Sequence, residues 1–257
     1  MKKLANEIVA WLQQYAKSSG RKAWVVGVSG GVDSALVSTL CAMTGLPTYC
    51  VVLPCQSESD QTDRGRSHIS WLKEKFGEDM VKNIHINLTD TFEAFRDETC
   101  VDFYNELGYA NSKSRLRMIA LYHIATCVGG LVVGTGNKVE DGGVRFFTKN
   151  GDGGVDISPI ADLMKSEVRQ MCRELEVLPE LSEAVPTDGL WNDTRTDEGQ
   201  LGATYDELEW AMKFRERNQT GLFRFSPREL EVLATYDKWH NAGEHKMHMP
   251  PTFVRSQ

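Results

Sequence analysis

Apolar positions follow two patterns along this chain: short continuous runs, and longer stretches with helical spacing. Four short apolar runs predict buried strands, because each has strand length and is bounded by polar residues, glycine or proline. These runs lie at 23–28, 48–53, 84–88 and 131–133. Stretches with helical spacing separate them, so right-handed crossovers are expected. The pattern predicts an α/β fold with a doubly wound, mostly parallel sheet that is flanked by helices on both faces.

The helical spacing begins at the N-terminus, where the chain lacks the long apolar core of a signal peptide. The apolar positions of this amphipathic stretch are Leu4, Ile8, Val9, Leu12 and Tyr15. Further helices are predicted at 32–43, 60–76, 89–107, 112–127, 165–175, 205–217 and 227–240. We expect a break at Gly108, a glycine-dense region over 134–154 and a polar loop over 179–200.

The composition adds limits on the function. The chain has 257 residues, of which 41% are hydrophobic and 25% charged, and we expect residues 1–257 to form one domain. The net charge of −7 argues against binding along a nucleic-acid backbone. No apolar run approaches the roughly 18 residues that a membrane span needs. Six scattered cysteines without a CxxC pair are interpreted as reduced thiols, which predicts a cytoplasmic protein.

The most informative stretch joins the first predicted strand to the helix after it. It reads GVSGGVDS, from Gly27 to Ser34. A G-x-S-x-G elbow would make Ser29 a hydrolase nucleophile, but it leaves Asp33 and Ser34 without a role. The dinucleotide pattern fails at Ser29 and Val32, and the P-loop pattern fails because no lysine follows. A turn that only packs a helix against the sheet does not explain five small or polar residues in succession.

A pyrophosphate loop explains the turn better. Successive backbone N–H groups, two glycines and the hydroxyls of Ser29 and Ser34 would surround a pyrophosphate at a helix N-terminus. A carboxylate alone would repel phosphate, so we expect Asp33 to hold Mg²⁺ between itself and the phosphates. A second glycine turn, 134–140, follows the fourth strand. Because ligands bind at the carboxyl edge of such sheets, the two turns are expected to share one ligand.

The loop SGGVDS resembles that of the ATP-pyrophosphatase superfamily, whose Rossmann-like enzymes cleave ATP between its α and β phosphates. Six further segments resemble the NAD synthetase family in order and in spacing. They are NSKSRLRMIALY, GTGNKVE, FFTKNGDGGVDISPIADLMKSEV, VPTDGLW, TDEGQLGATYDELE and EHKMHMPP. The resemblance covers nearly the whole chain. It implies that ATP, as co-substrate, adenylates the nicotinate carboxylate of deamido-NAD, and that ammonia then displaces AMP to give NAD.

The resemblance assigns one set of residues to ATP and its metal ion. The implied ATP contacts are Gly27, Val28, Ser29, Gly30, Gly31, Val32, Asp33, Ser34, Thr135, Lys165 and Thr187. Asp33 and Glu140 are the implied Mg²⁺ ligands. The alternative for Glu140 is a solvated loop carboxylate, and the alternative for Lys165 is a surface lysine.

The resemblance assigns a second set to deamido-NAD and to the reaction at its carboxylate. The implied substrate contacts are Arg115, Lys149, Asp156, His245 and Lys246. The implied catalytic residues are Asp152, Lys165 and Ser29, and we expect Asp152 to orient ammonia or to accept its proton. His245 and His248 could indicate a metal site, but no further ligands cluster near them in the sequence.

The chain departs from the family pattern at three places. Arg145 stands where the family usually has a small residue, and Asn150 stands where it often has tyrosine. The segment LPCQSESDQ lacks the arginine and glutamine that bacterial relatives place near the adenine. These departures leave the adenine contacts open and do not affect the phosphate and metal assignments.

Two further properties follow from the resemblance. The chain has no room for the roughly 250 residues of a glutaminase domain, so we expect direct use of ammonia. The family implies a homodimer with the dinucleotide at its interface, and the helices within 92–104 and 112–127 are the candidates for that interface.

Three other functions stay open at this stage. A member of the same superfamily could amidate or thiolate a different acid, such as a nucleobase or tRNA, although the charge of the chain weighs against tRNA. A nucleotide sensor would bind ATP without consuming it and would not need both Asp33 and Glu140. A serine hydrolase would react at Ser29 with a phosphonate ester probe.

Overall fold

The computed structural model describes residues 1–56, 59–99, 103–187, 189–191, 195–217 and 223–255. Its centre is a four-stranded sheet in the order β3-β2-β1-β4. The strands are β1 (Trp24–Gly27), β2 (Thr48–Val52), β3 (Val81–His85) and β4 (Leu131–Val132). Strand β1 pairs in parallel with β2 and β4, and β2 pairs in parallel with β3. The predicted parallel sheet is therefore confirmed.

Helices surround this sheet. They are α1 (Lys2–Ser19), α2 (Val32–Met43), α3 (Ser59–Phe76), α4 (Thr89–Thr99), α5 (Glu106–Val128), α6 (Lys165–Glu174), α7 (Pro179–Ser182), α8 (Asp197–Leu201), α9 (Tyr205–Glu216) and α10 (Pro227–Ala242). A π-helical segment spans Lys138–Val144, and a short 3₁₀ turn spans Glu244–Lys246. Both irregular segments lie close to the candidate site described below.

Alternate residues of β1 enter different hydrophobic cores. Trp24 and Val26 pack with α1, α2 and α6 on one face of the sheet, whereas Val25 packs with α4 and α5 on the other. Helices therefore cover both faces, as the doubly wound fold requires. A further hydrophobic cluster joins the π-helical segment to α9 and α10. The predicted amphipathic N-terminal helix is confirmed, with Val9 and Leu12 buried.

Three predictions about the elements are wrong. Strand β3 begins at Val81, three residues before the predicted run 84–88. Gly108 does not break a helix, because α5 begins at Glu106 and the Asn105 side chain accepts a hydrogen bond from the Gly108 N–H at 2.7 Å. The predicted loop over 179–200 contains α7 and most of α8. Each error arises at a boundary that capping or packing sets, which the hydrophobic pattern does not reveal.

The structure bears on two predictions about the whole chain, which concern membrane-spanning segments and the state of the cysteines. No helix in the described part of the chain is long and apolar enough to cross a membrane. The described cysteines are thiols, and four of them are buried. Cys100 lies outside the described residues. The assignment of residues 1–257 to one domain stays a prediction.

Candidate active site

The turn between β1 and α2 lies at the carboxyl edge of the sheet. Gly27 ends β1 and Val32 begins α2, and no side chain caps the N-terminus of α2. Gly30 has a left-handed backbone with φ +84°, and a Cβ there would lie 2.2 Å from the carbonyl oxygen of Gln61 in α3. Only glycine fits, because any side chain would collide with the α3 backbone. An uncapped helix start of this kind offers its first N–H groups to an anion.

Two serine hydroxyls shape the inside of this turn. Ser29 Oγ lies 3.1 Å from Ser34 Oγ and accepts a hydrogen bond from the Gly31 N–H at 3.2 Å. Ser34 Oγ also accepts from the Ser29 N–H and donates to the Gly31 carbonyl. Within the described ranges no imidazole is hydrogen-bonded to Ser29. The described hydrogen bonds of Ser29 thus all lie within the turn.

A buried lysine joins the two glycine turns. Lys165 Nζ donates to Asp33 Oδ2 at 2.6 Å and to Glu140 Oε1 at 2.8 Å, and the lysine side chain is only 3% exposed. Burial acts to lower the pKa of Lys165, but the charges of Asp33 and Glu140 outweigh it and hold the pKa above its usual value. Burial raises the pKa of Asp33, whereas Lys165 holds the pKa of Glu140 below its usual value against the effect of burial.

Local hydrogen bonds fix the partners of this lysine. Lys165 is the first residue of α6, whose start is closed by a hydrogen bond from the Met164 N–H to the Glu167 carboxylate at 2.8 Å. The Asn137 amide oxygen accepts from the Glu140 N–H at 3.1 Å, and its amide nitrogen donates to Asp33 at 3.0 Å. Glu140 lies on the π-helical segment, a rare geometry that is frequent at functional sites.

Tyr205, the first residue of α9, completes the cluster. Its hydroxyl donates to the Glu140 carboxylate and lies 3.3 Å from Asp197 Oδ2. The Lys165 ammonium lies 4.7 Å from the centre of the Tyr205 ring, a cation–π contact. Burial raises the pKa of Tyr205, so the hydroxyl stays protonated and donates to the carboxylate. We call Asp33, Glu140, Lys165 and Tyr205, together with the turn 27–34, the phosphate end.

The phosphate end opens into a cavity of about 280 Å³. Every residue predicted to bind ATP, to bind Mg²⁺ or to act in catalysis lines this cavity. They are Gly27, Val28, Ser29, Gly30, Gly31, Val32, Asp33, Ser34, Thr135, Glu140, Asp152, Lys165 and Thr187. Residues up to 160 positions apart, within the range 27–187, therefore meet at one sheet edge. Their roles stay predictions.

Two more carboxylates face the same cavity. Asp152 accepts hydrogen bonds from the Ser114 hydroxyl at 2.7 Å and from the Thr148 N–H at 3.0 Å. Burial raises the pKa of Asp152 in spite of these hydrogen bonds. Burial, helped by the charge of Glu140, raises the pKa of Asp141 to about 8. Burial therefore shifts both carboxyl groups towards their protonated, uncharged form.

The five residues predicted to contact deamido-NAD do not line this cavity. They are Arg115, Lys149, Asp156, His245 and Lys246. All except Asp156 lie in, or contact, two segments that pack together, 145–149 and 244–248, which we call the C-terminal clamp. Arg115 belongs to this group because its guanidinium donates to the Lys149 carbonyl at 3.3 Å.

Lysine side chains hold the C-terminal clamp together. Lys149 Nζ donates to the His245 carbonyl at 2.7 Å, across the two segments. Lys246 Nζ donates in the opposite direction, to the carbonyls of Arg145 at 2.9 Å and Phe147 at 2.8 Å. Both lysines thus bind backbone oxygens, in contrast to Lys165, which binds carboxylates.

Asp156 lies apart from the clamp. Its carboxylate accepts from the Val132 N–H at 2.8 Å and from the Tyr122 hydroxyl at 3.3 Å. Asp156 therefore anchors the end of β4 to α5 in this structure. Its role as a dinucleotide contact stays a prediction.

Two departures from the family pattern have structural explanations. Arg145 follows the π-helical segment with a left-handed backbone, and its guanidinium binds the His240 carbonyl and the Glu244 carboxylate. It ties the clamp to the end of α10. Asn150 also has a left-handed backbone, with φ 62°, and asparagine tolerates this conformation better than most residues. The third departure, LPCQSESDQ, includes residues 57 and 58, which lie outside the described residues.

The donor set of the phosphate end fits Mg²⁺. Asp33 and Glu140 each reach the same Lys165 ammonium, so their oxygens converge on one cation position. No group of three or more histidine, cysteine, aspartate or glutamate side chains in the described ranges could hold a metal ion. Mg²⁺ commonly takes one or two carboxylates and completes its shell with phosphate oxygens and water. The two carboxylates beside the turn 27–34 match that habit.

Comparisons with known proteins agree with this geometry. Residues 4–250 match a family model described as NAD synthase. The chain belongs to the NAD synthase family. The NH(3)-dependent NAD(+) synthetase of Syntrophomonas wolfei subsp. wolfei is 37% identical over 253 residues, which cover 96% of this chain and 94% of the relative. The resemblance to this family that the seven sequence segments indicate is therefore confirmed.

Solved structures show the same NAD synthase fold. A structure of an NMN synthetase from Francisella tularensis has a TM-score of 0.85 and 31% identity, and the match covers 98% of this chain and 97% of that one. The NH3-dependent NAD synthetase of Campylobacter jejuni subsp. jejuni, solved with a nitrate ion, has a TM-score of 0.80 and 23% identity and covers 98% of both chains. The predicted Rossmann-like fold is thereby confirmed.

Sequence reasoning misses Tyr205 of the phosphate end and two residues that bond to this cluster, Asn137 and Asp197. All three lie inside segments that resemble the NAD synthase family, but the resemblance assigns none of them a role. Asn137 carried a signal, because an asparagine before a helical segment commonly caps it. The contact between Tyr205 and Glu140 had no sequence signal, since 65 positions separate the two residues.

Proposed function

We propose that this chain is an ammonia-dependent NAD synthetase. In the proposed reaction the nicotinate carboxylate of deamido-NAD attacks the α phosphate of ATP, pyrophosphate leaves, and ammonia then displaces AMP from the acyl-adenylate. The observation that carries the proposal is the convergence of the turn 27–34 with Asp33, Glu140 and Lys165 in one cavity. A carboxylate is a poor electrophile, so activation by ATP is what an amide synthetase needs.

The phosphate end is assigned to ATP. The N–H groups at the start of α2 and the hydroxyls of Ser29 and Ser34 bind the pyrophosphate portion. Asp33 and Glu140 hold Mg²⁺, which supplies neutralising charge to the phosphates. Lys165, Thr135 and Thr187 contact ATP from the other side of the cavity. The acyl transfer itself requires no protein nucleophile, and Ser29 is assigned to binding and orientation.

Asp152 is assigned to ammonia. Ammonia must lose protons when it becomes an amide nitrogen, so a carboxylate beside the acyl carbon is useful. Burial raises the pKa of Asp152 and so makes this carboxylate a better base than an exposed aspartate. Hydrogen bonds from Ser114 and Thr148 fix its orientation. We expect Asp152→Asn to lower turnover far more than ATP binding.

The C-terminal clamp is assigned to the nucleotide that carries the nicotinate. Arg115, Lys149, His245 and Lys246 supply positive charge or hydrogen-bond donors to its phosphates. In the present structure both lysines bind backbone carbonyls, so substrate binding replaces these weak partners with phosphate oxygens.

The nitrogen source and the location belong to the same proposal. The curated relative reported above is named as NH(3)-dependent, and it has nearly the same length as this chain. We therefore assign ammonia, not glutamine, as the donor. The buried thiols of the described cysteines fit a reducing compartment, so we place the reaction in the cytoplasm.

A homodimer is part of the proposal. Large apolar side chains are exposed on α4, on α5 and in the chain between them. They are Phe95, Phe103, Tyr104, Leu107, Ile119 and Tyr122. Exposed large apolar side chains are typical of a protein–protein interface. Light scattering is expected to give twice the chain mass, and an active monomer would contradict the assignment.

A second function has a specific observation in its favour. The solved NMN synthetase of Francisella tularensis covers almost the whole chain at 31% identity. Amidation of nicotinate mononucleotide uses the same carboxylate, the same ATP cleavage and the same nitrogen. The two substrates differ only in the adenylyl half of the dinucleotide.

One assay tests the proposal and separates the two substrates. The purified chain is mixed with Mg-ATP, ammonium and either deamido-NAD or nicotinate mononucleotide, and AMP, pyrophosphate and the amide product are measured together. We expect equal amounts of the three products and a higher kcat/KM with deamido-NAD. A higher kcat/KM with the mononucleotide would establish the second function instead. If ATP is consumed with neither acid, both functions are contradicted. Efficient use of glutamine would contradict the ammonia assignment.

A further inference from the structure

Arg64 of α3 lines the same cavity as the turn 27–34, and nothing above gives it a role. Its Nε donates to the Gly30 carbonyl at 3.3 Å. A guanidinium carries five N–H donors, and this contact uses one of them. Within the described ranges no carboxylate pairs with Arg64. By contrast Arg66, two residues further along α3, pairs with Asp63 at 3.2 Å and bonds to His85.

The backbone of α3 is held tightly against the turn. A Cβ on Gly30 would lie 2.2 Å from the Gln61 carbonyl oxygen, and a Cβ on Gly65 would lie 3.4 Å from the Val28 carbonyl oxygen. These approaches occur on both sides of position 64. The α3 backbone on both sides of Arg64 therefore packs directly against the turn. A cation in such a place is preorganised for a ligand of the turn.

A polyanion at the turn favours such a cation. The Lys165 ammonium is already engaged by Asp33 and Glu140, which line the same cavity. Pyrophosphate is a polyanion, and a helix N-terminus alone supplies only partial positive charge. The positive charge of Arg64, which no described carboxylate offsets, adjoins the turn itself. The planar guanidinium also matches two phosphate oxygens at once.

We infer that Arg64 binds the β and γ phosphates of ATP and holds them as pyrophosphate when they leave. The inference rests on the proposed function, because it requires cleavage between the α and β phosphates. In the inferred arrangement, the Gly30 carbonyl orients the guanidinium through Nε, and the terminal nitrogens of Arg64 face the phosphates. Arg64 is thus a binding residue for the leaving group and is not expected to contact AMP.

The test compares pyrophosphate with AMP as product inhibitors of Arg64→Gln, Arg64→Lys and a matched control, Arg66→Gln. Loss of hydrogen bonds to a charged group predicts about a 10- to 100-fold weaker inhibition by pyrophosphate for Arg64→Gln. Inhibition by AMP should change by less than about twofold, because AMP lacks both phosphates that Arg64 binds. Arg64→Lys, which keeps the charge, should lie between Arg64→Gln and wild type. Arg66→Gln should match wild type for both products.

Two results would overturn the inference. One is unchanged inhibition by pyrophosphate in Arg64→Gln. The other is equal weakening for pyrophosphate and AMP together with a lower Tm, which would make Arg64 only a support for the turn. Arg64→Lys keeps the test decisive where Arg64→Gln folds poorly. Failure of the proposed function is separate, since it is seen when wild type itself releases no AMP and pyrophosphate with either nicotinate substrate.

Discussion

The phosphate end and the C-terminal clamp are both held by lysines, but in different ways. Lys165 is 3% exposed and lies between two carboxylates at 2.6 and 2.8 Å. Lys149 and Lys246 lie nearer the surface and donate to backbone carbonyls at 2.7 to 2.9 Å. The first arrangement is a buried ion cluster, and the second is a set of neutral-acceptor hydrogen bonds.

The two arrangements differ in the free energy needed to open them. Removing one partner of a buried ion pair typically costs about 3 to 5 kcal/mol, because a charge is left without compensation. A hydrogen bond to a carbonyl near water contributes about 0.5 to 1.5 kcal/mol. The phosphate end, where ATP is proposed to bind, is therefore the costlier of the two regions to open. The clamp, where the nicotinate nucleotide is proposed to bind, needs less free energy to rearrange.

The largest effect is expected at the phosphate end from Asp33→Asn. This change removes a proposed Mg²⁺ ligand and one partner of Lys165, and we expect kcat/KM for AMP formation to fall by at least about 10³-fold. Asp162→Asn is the matched control, because Asp162 is exposed and pairs with Lys138 at the surface. Retention of more than a tenth of wild-type activity in Asp33→Asn would remove Asp33 from the site.

The next largest effect is a difference in the free energy of unfolding between two lysine variants. Lys165→Met leaves Asp33 and Glu140 buried together without a cation, so we expect the free energy of unfolding to fall by about 3 to 5 kcal/mol. Mg²⁺ should restore part of the loss, and its effect on Tm should be larger than in wild type. Lys82→Met, at a partly exposed lysine whose partner Asp79 is fully exposed, is the control and should cost less than about 1 kcal/mol. Equal costs for the two variants would contradict the comparison.

A loss of stability at low pH is expected from His68, a residue of α3 that contacts α2. His68 is fully buried, its Nε2 lies 2.9 Å from Ser38 Oγ in α2, and burial lowers the pKa of His68 to about 4. Below pH about 6.5 the unfolded chain takes up a proton that the folded protein excludes until pH about 4, so stability is lost as the pH falls through this window. The loss attributable to His68 is about 3 kcal/mol when complete.

Urea unfolding of wild type and His68→Gln between pH 7 and pH 4 measures this effect. The variant should lose the part of the pH dependence that belongs to His68, whereas His123→Gln, at an exposed histidine, should keep it. Identical pH profiles for wild type and His68→Gln would show that the histidine does not support α2 in the way described.

The smallest effect is expected at the clamp. Lys246→Met removes two hydrogen bonds to carbonyls, and we expect a stability loss of only about 1 kcal/mol. KM for the nicotinate substrate should rise several-fold, while KM for ATP should stay near wild type. Lys3→Met, at a side chain that is 93% exposed, is the control. An equal rise in both KM values would show that the two regions do not bind different ligands.

The sequence predicts the fold best where local signals are strong. The turn 27–34 with its flanking strand and helix matches the structure within a residue or two, because glycines and an abrupt change of pattern mark it. Strand β3 is misplaced because only its first residue, Val81, is buried, and the polar residues Lys82 and Asn83 lie inside it. An edge strand of this kind resembles a loop in sequence. The predicted strand therefore started with the apolar run 84–88, three residues after the observed start of β3.

The candidate site likewise contains residues that the sequence reveals and residues that only the tertiary structure reveals. Chemistry-bearing residues next to glycine turns, such as Asp33 and Glu140, are visible in the sequence. The group that completes their environment, Tyr205, comes from a helix beyond the sheet, and only tertiary packing brings it to Glu140. Arg145 shows the converse. Its identity stood out in the sequence, but its partners, the His240 carbonyl and Glu244, could not be predicted.

Transfer of ¹⁸O tests the central claim most directly. Deamido-NAD labelled with ¹⁸O in the nicotinate carboxylate is converted with Mg-ATP and ammonium, and the AMP and pyrophosphate are analysed by mass spectrometry. An acyl-adenylate formed at the phosphate end predicts one ¹⁸O atom in AMP and none in pyrophosphate, because the carboxylate oxygen becomes a phosphate oxygen. The label in pyrophosphate or phosphate, or AMP without label, would contradict the proposed attack on the α phosphate.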